Sequence, residues 1–149
     1  MTGGLSQTRS KADFRMLREM LGLPQAWVAR QLGVTPLTVK NWENPKEFYP
    51  PRREAWDLIE SLWSQADMKA ASLVEIAVEA ARMAKDRGVE PTPIMLTYWK
   101  DVKDYKQGVS IGCNNENSYR IANAATRMAA DRLRVLGLPV TVMYAETEA

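Results

Sequence analysis

The chain has 149 residues, of which 20 are basic and 18 acidic, with 46% hydrophobic residues, one cysteine and no histidine. That length suits one domain or two small ones, and no apolar run approaches the length that crosses a bilayer. The missing histidine removes the usual general base, the serine–histidine–aspartate triad and nearly every transition-metal site, while the lone Cys113 excludes an intramolecular disulfide and a multi-cysteine zinc site.

In chain order, residues 1–11 are small, polar and glycine-containing, which predicts a disordered tail; residues 1–10 lack the apolar stretch of a secretory signal. A first helix is expected over 13–22, with Phe14, Leu17 and Leu21 on one face. A second is expected over 24–32, where Val28, Ala29 and Leu32 make an apolar stripe and Gly33 supplies the positive φ that ends it. Thr35 then caps a third helix over 35–44, with Pro36 at its first position, where a missing N–H does no harm. Val39 and Trp42 face inward, which leaves Pro36, Leu37, Lys40 and Asn41 outward. Two short helices joined by a tight glycine turn can place the second in a DNA major groove. There Lys40 suits guanine, Asn41 suits adenine and Leu37 suits a thymine methyl. Gln25, Thr35, Thr38, Asn44 and Lys46 are candidates for phosphate contacts, which position a protein without reading sequence. Arg52 and Arg53 join them, because cations at a helix start favour an external anion.

Residues 44–51 (NPKEFYPP) form a connector, since three prolines forbid a continuing helix. From 52 to 87 the helical period runs without a breaker through Trp56, Ile59, Trp63, Ala66, Ala70, Leu73, Ala77, Ala80 and Ala84. A single helix there would be roughly 50 Å long and would need a second body to pack on; a bend near 66–69 is the other reading. Residues 94–99 (IMLTYW) predict a strand, 114–136 a helix capped by Asn114 or Asn117 and ended by Gly137, and 139–145 (PVTVMYA) a β-branched strand. Strand, helix, strand implies parallel pairing. Two strands alone are marginal, so a second copy or the long helix is expected to complete or cover the sheet. Carboxylate pairs such as Glu75/Glu79 and Asp101/Asp104 read as solvated surface, and Cys113 as a small semi-buried residue. Residues 1–53 hold nine basic and four acidic residues, a net +5, and the remainder eleven and fourteen, a net −3. A basic half joined to an acidic half fits one nucleic-acid-facing unit and one that is not.

Residues 18–44 (REMLGLPQAWVARQLGVTPLTVKNWEN) resemble the Cro/repressor-type (XRE-like) helix-turn-helix regulators, over about residues 12–60 of the chain. The resemblance implies that Arg18 and Glu43 form an internal salt bridge, that Gln25 touches phosphate, and that Ala29 lets the two helices approach. Gly33, Val39 and Trp42 match the family's turn glycine and inward positions. Two features depart from its pattern. Pro24 stands where a capping Ser, Thr or Asn is usual, and Pro36 and Leu37 stand where base-reading side chains often sit. Behind this head, YWKDVKDY, YRIANAATRMAADRLRVLG and PVTVMY resemble the anti-CRISPR-associated regulators and related phage or mobile-element repressors, whose C-terminal part makes the dimer and which repress their own operon.

The expected fold is mainly α with a small β component: a helix-turn-helix head at 12–51, then a dimerisation region at 52–149 with a long helix and a strand–helix–strand end. The expected function is a cytoplasmic, sequence-specific DNA-binding regulator, not an enzyme, that binds double-stranded DNA at an inverted repeat as a homodimer. It needs no cofactor, metal or membrane. An antitoxin with the same DNA-binding head is the first alternative, and an enzyme targeted by this head the second. RNA also stays open as a partner, because a basic surface attracts any polyanion.

Overall fold

Ser10 begins the first helix: its side chain accepts the amide of Asp13, and α1 follows as Lys11–Met20. The computed structural model describes residues 9–101, 103 and 116–145. After α1 come α2, Gln25–Leu32; α3, Pro36–Glu43; α4, Arg53–Asp86; β1, Ile94–Tyr98; α5, Glu116–Val135; and β2, Val140–Tyr144. The protein is mainly helical with one small two-stranded sheet. None of the described helices is long and apolar enough to cross a membrane.

The chain divides into two compact units, Met1–Trp63 and Ser64–Ala149, with the division inside α4. The first unit buries Phe14 and Leu17 from α1 and Leu21 just after it, Trp27, Val28 and Ala29 from α2, and Val39 and Trp42 from α3. The Phe14 ring meets Trp42 edge-on at 6.2 Å between centroids and Trp56 at 5.3 Å. Such aromatic edges add roughly 0.5–1.5 kcal/mol each beyond the area they bury. The expected division fell at 51/52, whereas the compact unit runs on to Trp63, because Ala55, Trp56 and Ile59 at the start of α4 are buried with this core.

In the second unit, Ala70 and Ala77 of α4, Leu96 of β1 and Ala125, Ala129, Ala130 and Leu133 of α5 share one apolar cluster. The sheet is parallel, in the register Ile94↔Val140, Leu96↔Val142 and Tyr98↔Tyr144. Gly137, at φ 75°, turns the chain from α5 into β2. Arg132 Nη2 donates to Asp67 Oδ1 at 2.5 Å, which ties α5 to α4.

Two expectations change. The disorder expected through Lys11 does not cover Arg9 to Lys11: the Arg9 guanidinium is bidentate on Glu60 and lies 5.3 Å over the Trp56 ring, and Lys11 is already helical. The apolar period expected through Ala84 fades after Ala77, because Ala80 is exposed. The helix expected over 52–87 is present without a break as Arg53–Asp86, and the alternative bend near 66–69 is absent from it. Asp104, Cys113, Asn114 and the side chain of Asn117 lie outside the described residues.

Candidate nucleic-acid interface

The turn between α2 and α3 is built by backbone chemistry. Gly33 takes φ 68°, which closes α2 and reverses the chain; a side chain there would be strained. Val34 N donates to Ala29 O at 3.0 Å, satisfying one of the carbonyls that a helix end exposes. Thr35 caps α3: its hydroxyl accepts the Thr38 amide at 3.2 Å and lies 3.0 Å from the Thr38 hydroxyl. Pro24, at the cap of α2, makes no side-chain cap bond; instead its carbonyl accepts the Trp27 and Val28 amides.

One buried ion pair ties α1 to the end of α3. Arg18 Nε donates to Glu43 Oε2 at 2.5 Å and Nη2 to Oε1 at 2.8 Å, while Nη1 donates to the Leu23 carbonyl at 2.8 Å. Both residues are deeply buried, at 8% and 7% exposure. Glu43 Oε1 also accepts from Gln25 Nε2 at 3.0 Å, so α1, α2 and α3 meet on one carboxylate. Bidentate, multiply hydrogen-bonded geometry is what lets a buried charge pair offset its desolvation.

This lock sets which side chains α3 presents. Pro36, Leu37 and Lys40 are exposed, Leu37 at 62%, and Asn41 is half-buried. Asn41 and Thr38 line a cleft of about 640 Å³ with Val34, Trp42, Tyr49 and Arg52.

The candidate phosphate ligands fall into two groups. Thr35, Thr38 and Asn44 already have intramolecular bonds, Asn44 Oδ1 accepting from Lys46 N at 3.0 Å. Gln25 is engaged by Glu43, but its carboxamide has a second N–H. Lys40 and Lys46 extend into solvent. Arg52 lies over the Trp42 ring at 5.6 Å and is exposed. Arg53 stands 4.0 Å from Asp57, and Glu54 sits in the first turn of α4, so that helix start carries its own compensating acids. The dipole therefore gives no independent reason for an anion at Arg53. Trp27 is packed in the core of the first unit.

Two features escape sequence reasoning. Lys11 Nζ donates to the carbonyls of Asn41, Trp42 and Tyr49 at 3.0, 3.1 and 2.6 Å, clamping the C-terminal end of α3 to the connector. A cation on those carbonyls opposes the negative end of the helix dipole. No signal marked it, since a lysine opening a helix reads as surface. The second feature is the connector's Phe48 and Tyr49, exposed at 85% and 70% and packed edge-on at 5.5 Å. A signal existed for them: neighbouring aromatics among prolines have no helical or strand period to carry them into a core.

Of the acidic pairs, Glu75 and Glu79 are both exposed. Glu79 is paired with Arg82, whose hydrogen bond and charge hold the Glu79 carboxyl below its usual range. Among the described residues, no three His, Cys, Asp or Glu side chains converge as a metal site. The chain matches no known protein-family model and no curated protein.

Proposed function

We propose that this protein is a sequence-specific DNA-binding transcriptional regulator. In this reading α2 and α3 are the helix-turn-helix, and α3 is the recognition helix in the major groove. The observation that carries it is the Arg18–Glu43–Gln25 junction, which holds the end of α3 against α1 and α2 and leaves Leu37, Lys40 and Asn41 facing away from the core. Lys40 and Asn41 read bases, Leu37 contacts a thymine methyl and Pro36 packs beside them. Gln25, Lys46 and Arg52 meet phosphates on either side. Phe48 and Tyr49 lie beside that face and press on the sugar backbone. The protein acts as a homodimer on an inverted repeat, through its strand–helix–strand C-terminal region. It acts in the cytoplasm as an autoregulatory repressor of the kind found beside phage and anti-CRISPR genes.

The test is selection from a pool of random-sequence duplexes, followed by titration of the enriched duplex. A motif with twofold symmetry is expected. Asn41→Ala is expected to cost roughly 1–3 kcal/mol per half-site and to blur one base pair, whereas Gln25→Ala weakens all sequences alike. An unenriched pool would overturn the reading. Unchanged affinity and preference in Asn41→Ala would overturn the register of α3.

A further inference from the structure

The two edges of the sheet are treated differently. In a parallel pair, alternate residues turn their N–H and C=O groups toward the neighbour or away from it. Ile94 N donates to Pro139 O and Ala145 N donates to Tyr98 O. With the register Leu96↔Val142, this turns the backbone groups of Met95, Thr97 and Trp99 outward on β1's side, and those of Val140, Val142 and Tyr144 outward on β2's side. Part of the β1 side is satisfied by α5. Thr126 Oγ1 donates to Thr97 O at 2.8 Å. The Asn123 carboxamide accepts from Trp99 N at 2.8 Å and donates to Trp99 O at 2.9 Å, as a neighbouring strand would. Both side chains are themselves buried. On the β2 side, no group among the described residues bonds to the outward amides and carbonyls.

Natural proteins blunt such an edge with lysine, proline or a bulge. Within the strand, β2 is VTVMY: it has no charge and no proline, and Tyr144 is 65% exposed. We infer that the outer edge of β2 pairs with β2 of a second copy, in antiparallel fashion across a twofold axis, to give a four-stranded sheet in the order β1–β2–β2–β1. The strand is self-complementary for this. With the axis at Val142, the outward residues are symmetric: Val142 faces Val142 of the second copy, and Val140 faces its Tyr144. Aliphatic and aliphatic–aromatic cross-strand pairs are favourable, and no like charges meet. A twofold axis normal to the sheet requires antiparallel pairing and uses the same patch twice. The inference rests on the homodimer in the proposed function and names its surface.

Sedimentation of the full chain at micromolar concentration should give twice 16.8 kDa. Val142→Lys opposes two lysines at the axis and should halve that mass while leaving the helical circular dichroism intact. Mixing Val142→Lys with Val142→Glu chains should restore the dimer mass, a rescue that a structural defect cannot produce. Should Val142→Lys fail to fold, Val142→Cys in a Cys113→Ser background decides: a short bis-maleimide should link it to a dimer band, and absence of that band overturns the inference. A dimeric parent whose folded Val142→Lys variant stays dimeric also overturns it and leaves the DNA-binding dimer standing. A monomeric parent overturns both the dimer and the pairing of this edge.

Discussion

At Glu43 two physical accounts give opposite signs. As a surface acid near DNA it would repel phosphate, so Glu43→Ala would tighten binding. As the buried acceptor of Arg18 and Gln25 it holds the end of α3, and its removal leaves a guanidinium buried with only the Leu23 carbonyl. Stranding one partner of a buried pair costs about 3–5 kcal/mol, so Glu43→Ala should lower the melting temperature by roughly 10 °C and weaken DNA binding as well. A melting curve and a titration at fixed salt check this; tighter binding with unchanged melting would make Glu43 a mere surface acid. The pair was legible in the sequence because both positions belong to the resemblance. The Gln25 bond was not, since sequence carries no distances. A smaller effect belongs to Glu79. Its carboxyl is held below the ordinary range by Arg82, so the pair's contribution is present above that range and disappears as pH falls through the lowered value. The pair is exposed and its contribution small. The difference in melting temperature between the parent and Glu79→Gln is expected to shrink toward zero as acid protonates that carboxyl.

At the scale of elements, local chemistry was readable and long-range contact was not. Gly33, Thr35 and Pro36 mark the turn because each does a local job: a positive φ, a hydroxyl acceptor and a pre-set φ. The strands at 94–98 and 140–144 follow from short β-branched and aromatic runs bounded by prolines and glycine. What failed was the far end of α4, where the alanine period continues past Ala77 although Ala80 is exposed; small residues at helical spacing look the same whether or not anything covers them. Lys11 shows the other failure. It bonds carbonyls 30, 31 and 38 residues along the chain, and no local pattern encodes that. Lys11→Met keeps the stem and removes the charge. Hydrogen bonds from a charged group contribute about 1.5–3 kcal/mol, so its melting temperature should fall. The connector carrying Phe48 and Tyr49 should become more readily cut by protease, with α1 otherwise intact. Limited proteolysis read by mass spectrometry checks this; an unchanged cleavage pattern would mean the prolines alone hold the connector.

For the whole molecule, charge must be counted on the compact units rather than on sequence halves. The split at residue 53 gave +5 and −3, but Glu54, Asp57 and Glu60 lie within the first unit. Residues 1–63 hold nine basic and seven acidic residues, a net +2, and residues 64–149 hold eleven of each, a net zero. A net field of that size does not by itself select a polyanion. What remains is local: Glu60 is consumed by Arg9 and Glu43 by Arg18, Asp57 faces Arg53, and Lys40 on α3, Lys46 just after it and Arg52 over the Trp42 ring are exposed. Under the proposed function, DNA affinity then depends on a few contacts, and salt reads their number. Each phosphate neutralised contributes about −0.9 to the slope of log K against log salt. In the proposed function Lys40 reads a base while Lys46 and Arg52 meet about two phosphates per protomer, so a dimer should give a slope near −4. Lys46→Ala should make it shallower by about 2, one contact from each copy, and weaken cognate and random duplexes equally. Lys40→Ala should instead cost more on the cognate duplex than on random DNA. Titrations of both variants on both duplexes across a salt series separate the two roles. If Lys40→Ala weakens both duplexes alike, the specificity of α3 rests on Leu37 and Asn41 alone.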